Sequence, residues 1–177
     1  MTNGLVVMTP TSISYSGTSA SINVDGSVDF SALTNLTLNG VFTGDYDNYM
    51  VSMKQLGNTT GQRTQMKFTN SGTPQSSTYT VEFLNADGAT VSAARQTIYG
   101  RFANQIQTLW SGVTVYIFGP YLLQPTAWRT VDMYADSGAR IIDASGTYPD
   151  SAAHDGMYLV TSGGNVTGKL TVFGFNQ

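Results

Sequence analysis

Residues 116–130 read YIFGPYLLQPTAWRT. The stretch opens as a run of aromatic and β-branched residues, stays apolar across two prolines, and ends in a tryptophan beside an arginine. It is either an exposed aromatic platform or a connection between strands. Tyr116, Phe118, Tyr121 and Leu123 flank Gly119-Pro120, which fits a strand that bends and continues along the edge of a sheet. Pro120 and Pro125 lack the amide hydrogen that a central ladder needs, so both belong at a bend, an edge or a crossover. Gln124-Pro125-Thr126 then turns the chain into a strand over Trp128–Tyr134. The stretch is expected to form a corner of a β-sandwich, with Trp128 buried.

Outward from this corner, a period of two recurs. SINVDGSVDFSAL alternates Ile22, Val24, Val28 and Phe30 around Asp25-Gly26, and NLTLNG alternates Leu36 and Leu38 before Asn39-Gly40, a strong hairpin dipeptide. NYMVSMKQL, TQMKFTN, TYTVEFLNADG, VTVYIFG, WRTVDMYADSG, ARIIDASG, MYLVTSGG and KLTVFGF continue the series, and most of these segments end at Gly or Asn. Short alternating segments with no helix between them predict an all-β fold, an antiparallel β-sandwich with jelly-roll character. Composition agrees: charged residues make up 11% of the 177 residues and Glu82 is the single glutamate, where long helices would demand Glu and Lys. Residues 1–20 are expected as an N-terminal arm or edge segment and 21–177 as one domain. Residues 85–113 fit the pattern less well and are expected to hold a helical turn or a long connection. SGTYPDSAAHDG, 145–156, reads as a surface loop.

Eight scattered basic residues and a net charge of −3 provide no basic stripe to neutralise phosphates, which argues against a nucleic-acid partner. No apolar run reaches the length of a membrane-spanning helix, and TNGLVVMTP lacks the basic start and apolar length of a signal peptide. Without cysteine there are no disulfides or thiolate metal sites. With one histidine there is no His-rich zinc site. No cofactor and no metal are expected.

Catalytic candidates are thin. His154 is expected in solvent on a polar loop, where Asp155 beside it orients it no better than any neighbour would. A glycosidase pair would have to combine Glu82 with one of the aspartates, yet Asp25, Asp87 and Asp155 precede glycines at turns, and Glu82 and Asp132 are expected to face solvent from strands. Asp45-Tyr46-Asp47-Asn48 has the alternating oxygens that begin a calcium loop but lacks its later glycine and closing glutamate, so a hydrogen-bonded turn is expected. Asn35, Asn58 and Asn165 stand in Asn-x-Ser/Thr sites that an Asn- and Thr-rich chain yields by chance. Tyr79, Phe83, Tyr116, Phe118, Tyr158, Phe173 and Phe175 form alternating stripes expected in the core. Leu5, Val6, Val7 and Met8 could dock an N-terminal arm on a partner. Trp110, Tyr121 and Trp128 are the residues for glycan stacking if the protein binds sugars.

LTLNGVFTGDYDNYMVSM (36–53), VYIFGPYLLQPTAWRT (115–130) and GNVTGKLTVFGF (164–175) together resemble small virion structural proteins of tailed bacteriophages, most of all those of phages infecting cyanobacteria and marine bacteria. The resemblance spans about residues 20–177 and transfers no active-site residues. It implies a non-enzymatic virion protein, made in the host cytoplasm. The expected role is a capsid decoration (cement or knob) protein that binds the major capsid protein, with a trimer as the homo-oligomer suited to three-fold sites. A tail-associated or fibre module that binds a receptor or glycan is the alternative.

Overall fold

The computed structural model describes residues 4–58, 63–76, 79–87, 90–97, 100–101, 108–135 and 139–176. The N-terminal third forms β1 (Val6–Val7), β2 (Ser12–Ile22), β3 (Val28–Asn39) and β4 (Asn48–Gly57). The middle forms β5 (Thr64–Asn70), β6 (Thr73–Pro74), β7 (Thr80–Asp87), β8 (Thr90–Gln96) and β9 (Gly100–Arg101). β10 (Ser111–Phe118), β11 (Thr126–Ala135), β12 (Ala139–Tyr148), β13 (Gly156–Thr161) and β14 (Val166–Phe175) complete the chain. There is no helix among the described residues, and every ladder is antiparallel. The fold is the antiparallel, jelly-roll-like β-sandwich that the alternation predicts. One path, β6-β5-β13-β3-β14-β4-β10-β11-β12-β7-β8, curls around a single apolar core.

β3 turns the corner of this curl. Its first half pairs with β14 and its second half with β13. At the break Ala32 takes φ 49°, and the registers with β2 and β14 both slip. An extra residue bends a strand and moves the side chains beyond it to the opposite face. The β14 slip lies between Phe30 and Leu33 and the β2 slip between Leu33 and Asn35, so burial shifts from Val28 and Phe30 to Leu33 and back in parity to Leu36 and Leu38. Gly17 lies across from the bulge at φ 136°, and a Cβ there would sit 2.3 Å from the Ala32 carbonyl oxygen. Only glycine lets β2 follow the bend.

Asn39-Gly40 does turn the chain, with Gly40 at φ 68°, but it does not close a hairpin. β4 lies beyond β14, so residues 40–47 cross over the end of the sheet. Val41 and Phe42 on this crossover are buried, and Phe42 meets Tyr49 edge-on at 4.8 Å. Apolar burial outweighs the local turn preference.

Residues 119–125 also depart from expectation. β10 and β11 are direct neighbours, with Phe118 opposite Ala127 and Ile117 opposite Trp128. The quoted stretch is therefore a wide hairpin, and its prolines sit in the loop, where neither owes a ladder amide. Trp128 is 2% exposed. Its indole lies over Gly146, its ladder partner, where a Cβ would meet the ring at 2.2 Å. Around Phe68 gather Trp128, Tyr148, Tyr79 and His154 with ring centroids 5.3–6.1 Å away. This aromatic cluster is the centre of the core.

The expected aromatic stripes are split. Tyr79 is fully buried, but Tyr116 and Phe118 face outward while Val113, Val115 and Ile117 take the interior of β10. Phe83, Tyr158, Phe173 and Phe175 are half-buried. Between 85 and 113 the described residues form strands and their connections rather than a helical turn, and 102–107 lie outside them. Residues 145–148 finish β12, so the loop is shorter than 145–156.

Candidate functional site

The expected catalytic candidates are not assembled into a catalytic group. His154 is 0% exposed, not in solvent. Its ring stacks on Phe68 at 5.3 Å and meets Tyr148 edge-on at 5.2 Å. Its Nδ1 lies 2.8 Å from the Asn70 side-chain amide, and its backbone N–H donates to Pro120 O at 2.8 Å. The histidine thus pins the 149–155 loop to β5 and to the β10–β11 loop. Asp132 is buried as well, set in the ladder between Val113 and Ile142. Both were expected in solvent because polar side chains usually are; here strand parity and loop closure carry them inside. Glu82 remains exposed and pairs with Arg95. Asp45 closes its turn with Thr43, while the Tyr49 hydroxyl accepts from Thr43 N at 2.7 Å and donates to Thr43 O at 2.8 Å. No group of metal-ligating side chains occurs among the described residues.

Burial pushes the His154 imidazole pKa down, against a smaller upward pull from Asp150 and Asp155. A base whose folded pKa is depressed stabilises the fold while neutral, so that stability is full above the unfolded value, roughly 6.5, and is lost as pH falls below it. The melting temperature is therefore expected to drop between pH 7.5 and pH 5, and a His154→Gln variant to show a flatter profile over that window. An identical slope in both would contradict this role for His154.

The N-terminal segment is an edge strand of its own sheet. Val6 and Val7 pair with Gly174 and Phe173 of β14, and Met8 N donates to Val172 O at 2.8 Å. Met8 packs on the core, while Leu5 and Val7 face solvent. Of the glycan-stacking candidates, Trp110 is 48% exposed and carries the Lys54 ammonium 4.4 Å above its ring. Tyr121 is 40% exposed, and Trp128 is buried with no ring face open to a ligand. The three do not come together.

Two features of the outer surface do come together. The first is an apolar loop end. One outward row runs Val7, Phe173, Met50, Tyr116 across four adjacent strands, and Phe175 and Phe118 flank Asn48 in the row beyond. The β10–β11 loop extends this surface, held by Gly119 N to Asp47 O at 2.9 Å. It projects Tyr121, Leu122 and Leu123, the last 81% exposed. Contiguous exposed apolar surface of this kind marks interaction sites.

The second is a trough on the outer face of β7, β11 and β12. Its middle row is Glu82, Ser145 and Arg129, flanked by Leu84, Asp143 and Val131 on one side and Thr80, Thr147 and Ala127 on the other. Arg129 binds Asp143 with two hydrogen bonds, Nε to Oδ1 at 3.0 Å and a terminal nitrogen to Oδ2. Depressions of about 400 Å³ and 320 Å³ open here and share Glu82 and Ser145. No motif spacing signals this grouping, because cross-strand register alone joins residues so far apart in the chain.

No family model matches the chain, and no curated protein does. Among solved structures it is similar to domain 4 of AbnA, a GH43 extracellular arabinanase from Geobacillus stearothermophilus, in complex with arabinotriose. The identity is 14%, the TM-score 0.35, and the match covers 93% of this chain and 82% of that one. A likeness at that level assigns no function.

Proposed function

We propose that the chain is a non-enzymatic virion structural protein that decorates the outer surface of a tailed-phage head. It docks on the major capsid protein and stabilises the shell. The observation that carries this reading is the apolar loop end, where Leu122, Leu123, Tyr121, Phe118 and Leu5 stand exposed around one end of the sandwich. Two further points support it. The sequence resembles phage virion proteins over nearly its full length. The side chains that catalysis would use are engaged otherwise, His154 in the aromatic core and Glu82 and Asp143 with arginines. A partner that binds only the assembled lattice stabilises that lattice through linkage. Docking needs exposed apolar surface, because burying each large apolar side chain contributes roughly 1.5–3 kcal/mol.

The test is binding to capsids stripped of the protein. A Leu122→Asp, Leu123→Asp double variant is expected to keep the wild-type melting temperature, since both side chains are exposed. It should lose at least about tenfold in capsid affinity, the equivalent of 1.4 kcal/mol. Unchanged affinity would remove the loop end from the docking surface.

A further inference from the structure

The geometry points to an oligosaccharide-binding site in the outer-face trough, for a neutral glycan of a few sugar units. This site borders the docking end, where Tyr116 is the ladder neighbour of Arg129, but shares no residue with it and does not depend on it. Its volumes of about 400 Å³ and 320 Å³ fall in the range of ligand sites, roughly 300–1,000 Å³. Its length suits a short chain rather than a single ring. From the row of Thr80 to the row of Leu84 is four residues along a strand, or roughly 13 Å.

The chemistry of the lining selects the ligand class. Charges are balanced within the trough: Arg129 faces Asp143, and Arg95 faces Glu82. An anion would meet no uncompensated cation, and a cation no uncompensated carboxylate. Donors and acceptors nevertheless stand side by side in number. A guanidinium has five N–H donors, of which Arg129 spends two on Asp143, leaving three. The carboxylates of Glu82 and Asp143 keep lone pairs, and Ser145, Thr147 and Thr80 each present a hydroxyl that both donates and accepts. A polyol offers the matching vicinal hydroxyls. Bidentate geometry at the guanidinium and carboxylates fixes its orientation.

An apolar wall completes the fit. Leu84, 54% exposed, and Ala93 line the larger depression beside Glu82 and Asp143. An apolar surface beside paired polar groups is the combination that binds the amphipathic surface of a sugar ring.

The experiment is an array of immobilised neutral and acidic (sialylated and sulfated) glycans probed with the full chain, followed by calorimetric titration of the strongest binder in soluble form. Two variants, Arg129→Ala and Ser145→Trp, change exposed side chains, and their melting temperatures serve as the control for folding. The expected result is retention of one or more neutral glycans and a loss of at least tenfold in affinity in both variants. Co-sedimentation with stripped capsids should be unchanged in both, which separates this site from the docking end. No neutral glycan bound, binding confined to acidic glycans, or wild-type affinity in both folded variants would overturn the assignment.

Discussion

Trp128→Ala is expected to lower stability by about 3–5 kcal/mol, the range for truncating a large aromatic side chain in a core. The indole is 2% exposed and packs edge-on against Phe68 and Tyr79, with both centroids 5.9 Å away. Its Nε1 has no hydrogen-bond partner among the described residues, so the loss is one of packing and apolar burial. Urea unfolding monitored by circular dichroism measures it through the midpoint, with the m-value checked for constancy. A variant with an unchanged midpoint and lost ligand binding would instead make Trp128 a surface platform.

Gly146→Ala should also be damaging, for the opposite reason. The added methyl would lie 2.2 Å from Cζ2 of Trp128 and 2.8 Å from the Thr80 carbonyl oxygen. The ring is held by its aromatic neighbours and the carbonyl belongs to the adjoining strand, so neither yields cheaply. Overpacking a core typically costs about 1–3 kcal/mol and sometimes more, and here two contacts are violated at once. Because the two residues touch, their effects should not add. In the Gly146→Ala background, Trp128→Phe should recover part of the lost stability. If the two changes simply add, Gly146 is not reserved for the indole.

The strands were legible in the sequence because alternation and turn residues report local geometry. VTVYIF shows where that legibility stops. Both faces of β10 are apolar, so the pattern reveals a strand without revealing which set goes inside. The interior took Val113, Val115 and Ile117, and the larger rings of Tyr116 and Phe118 went outward. The hairpin at 119–125 was visible as a break but not as a pairing, since prolines mark bends, edges and loops alike. Asn39-Gly40 misled because the burial of Phe42, a long-range effect, overrode a strong local preference.

The site was less legible than the fold. Leu5 to Met8 suggested a docking arm, but the sequence does not show that β14 has a free edge for it to occupy. His154 looked solvent-exposed because SAAHDG is polar, whereas the aromatic wall that encloses it comes from β5 and β12. Arg129, Asp143, Ser145 and Glu82 meet only through the ladders of β7, β11 and β12. No motif spacing encodes such a meeting, because a one-residue slip in register would send every one of these side chains to the other face.

The most direct test of a decorating role is the stoichiometry with which purified wild-type protein co-sediments with stripped phage heads. Saturable binding in fixed proportion to capsid subunits, with heads that resist heat or chaotrope better when occupied, is the predicted result. No binding, or a few copies at a single vertex without any gain in shell stability, would contradict it.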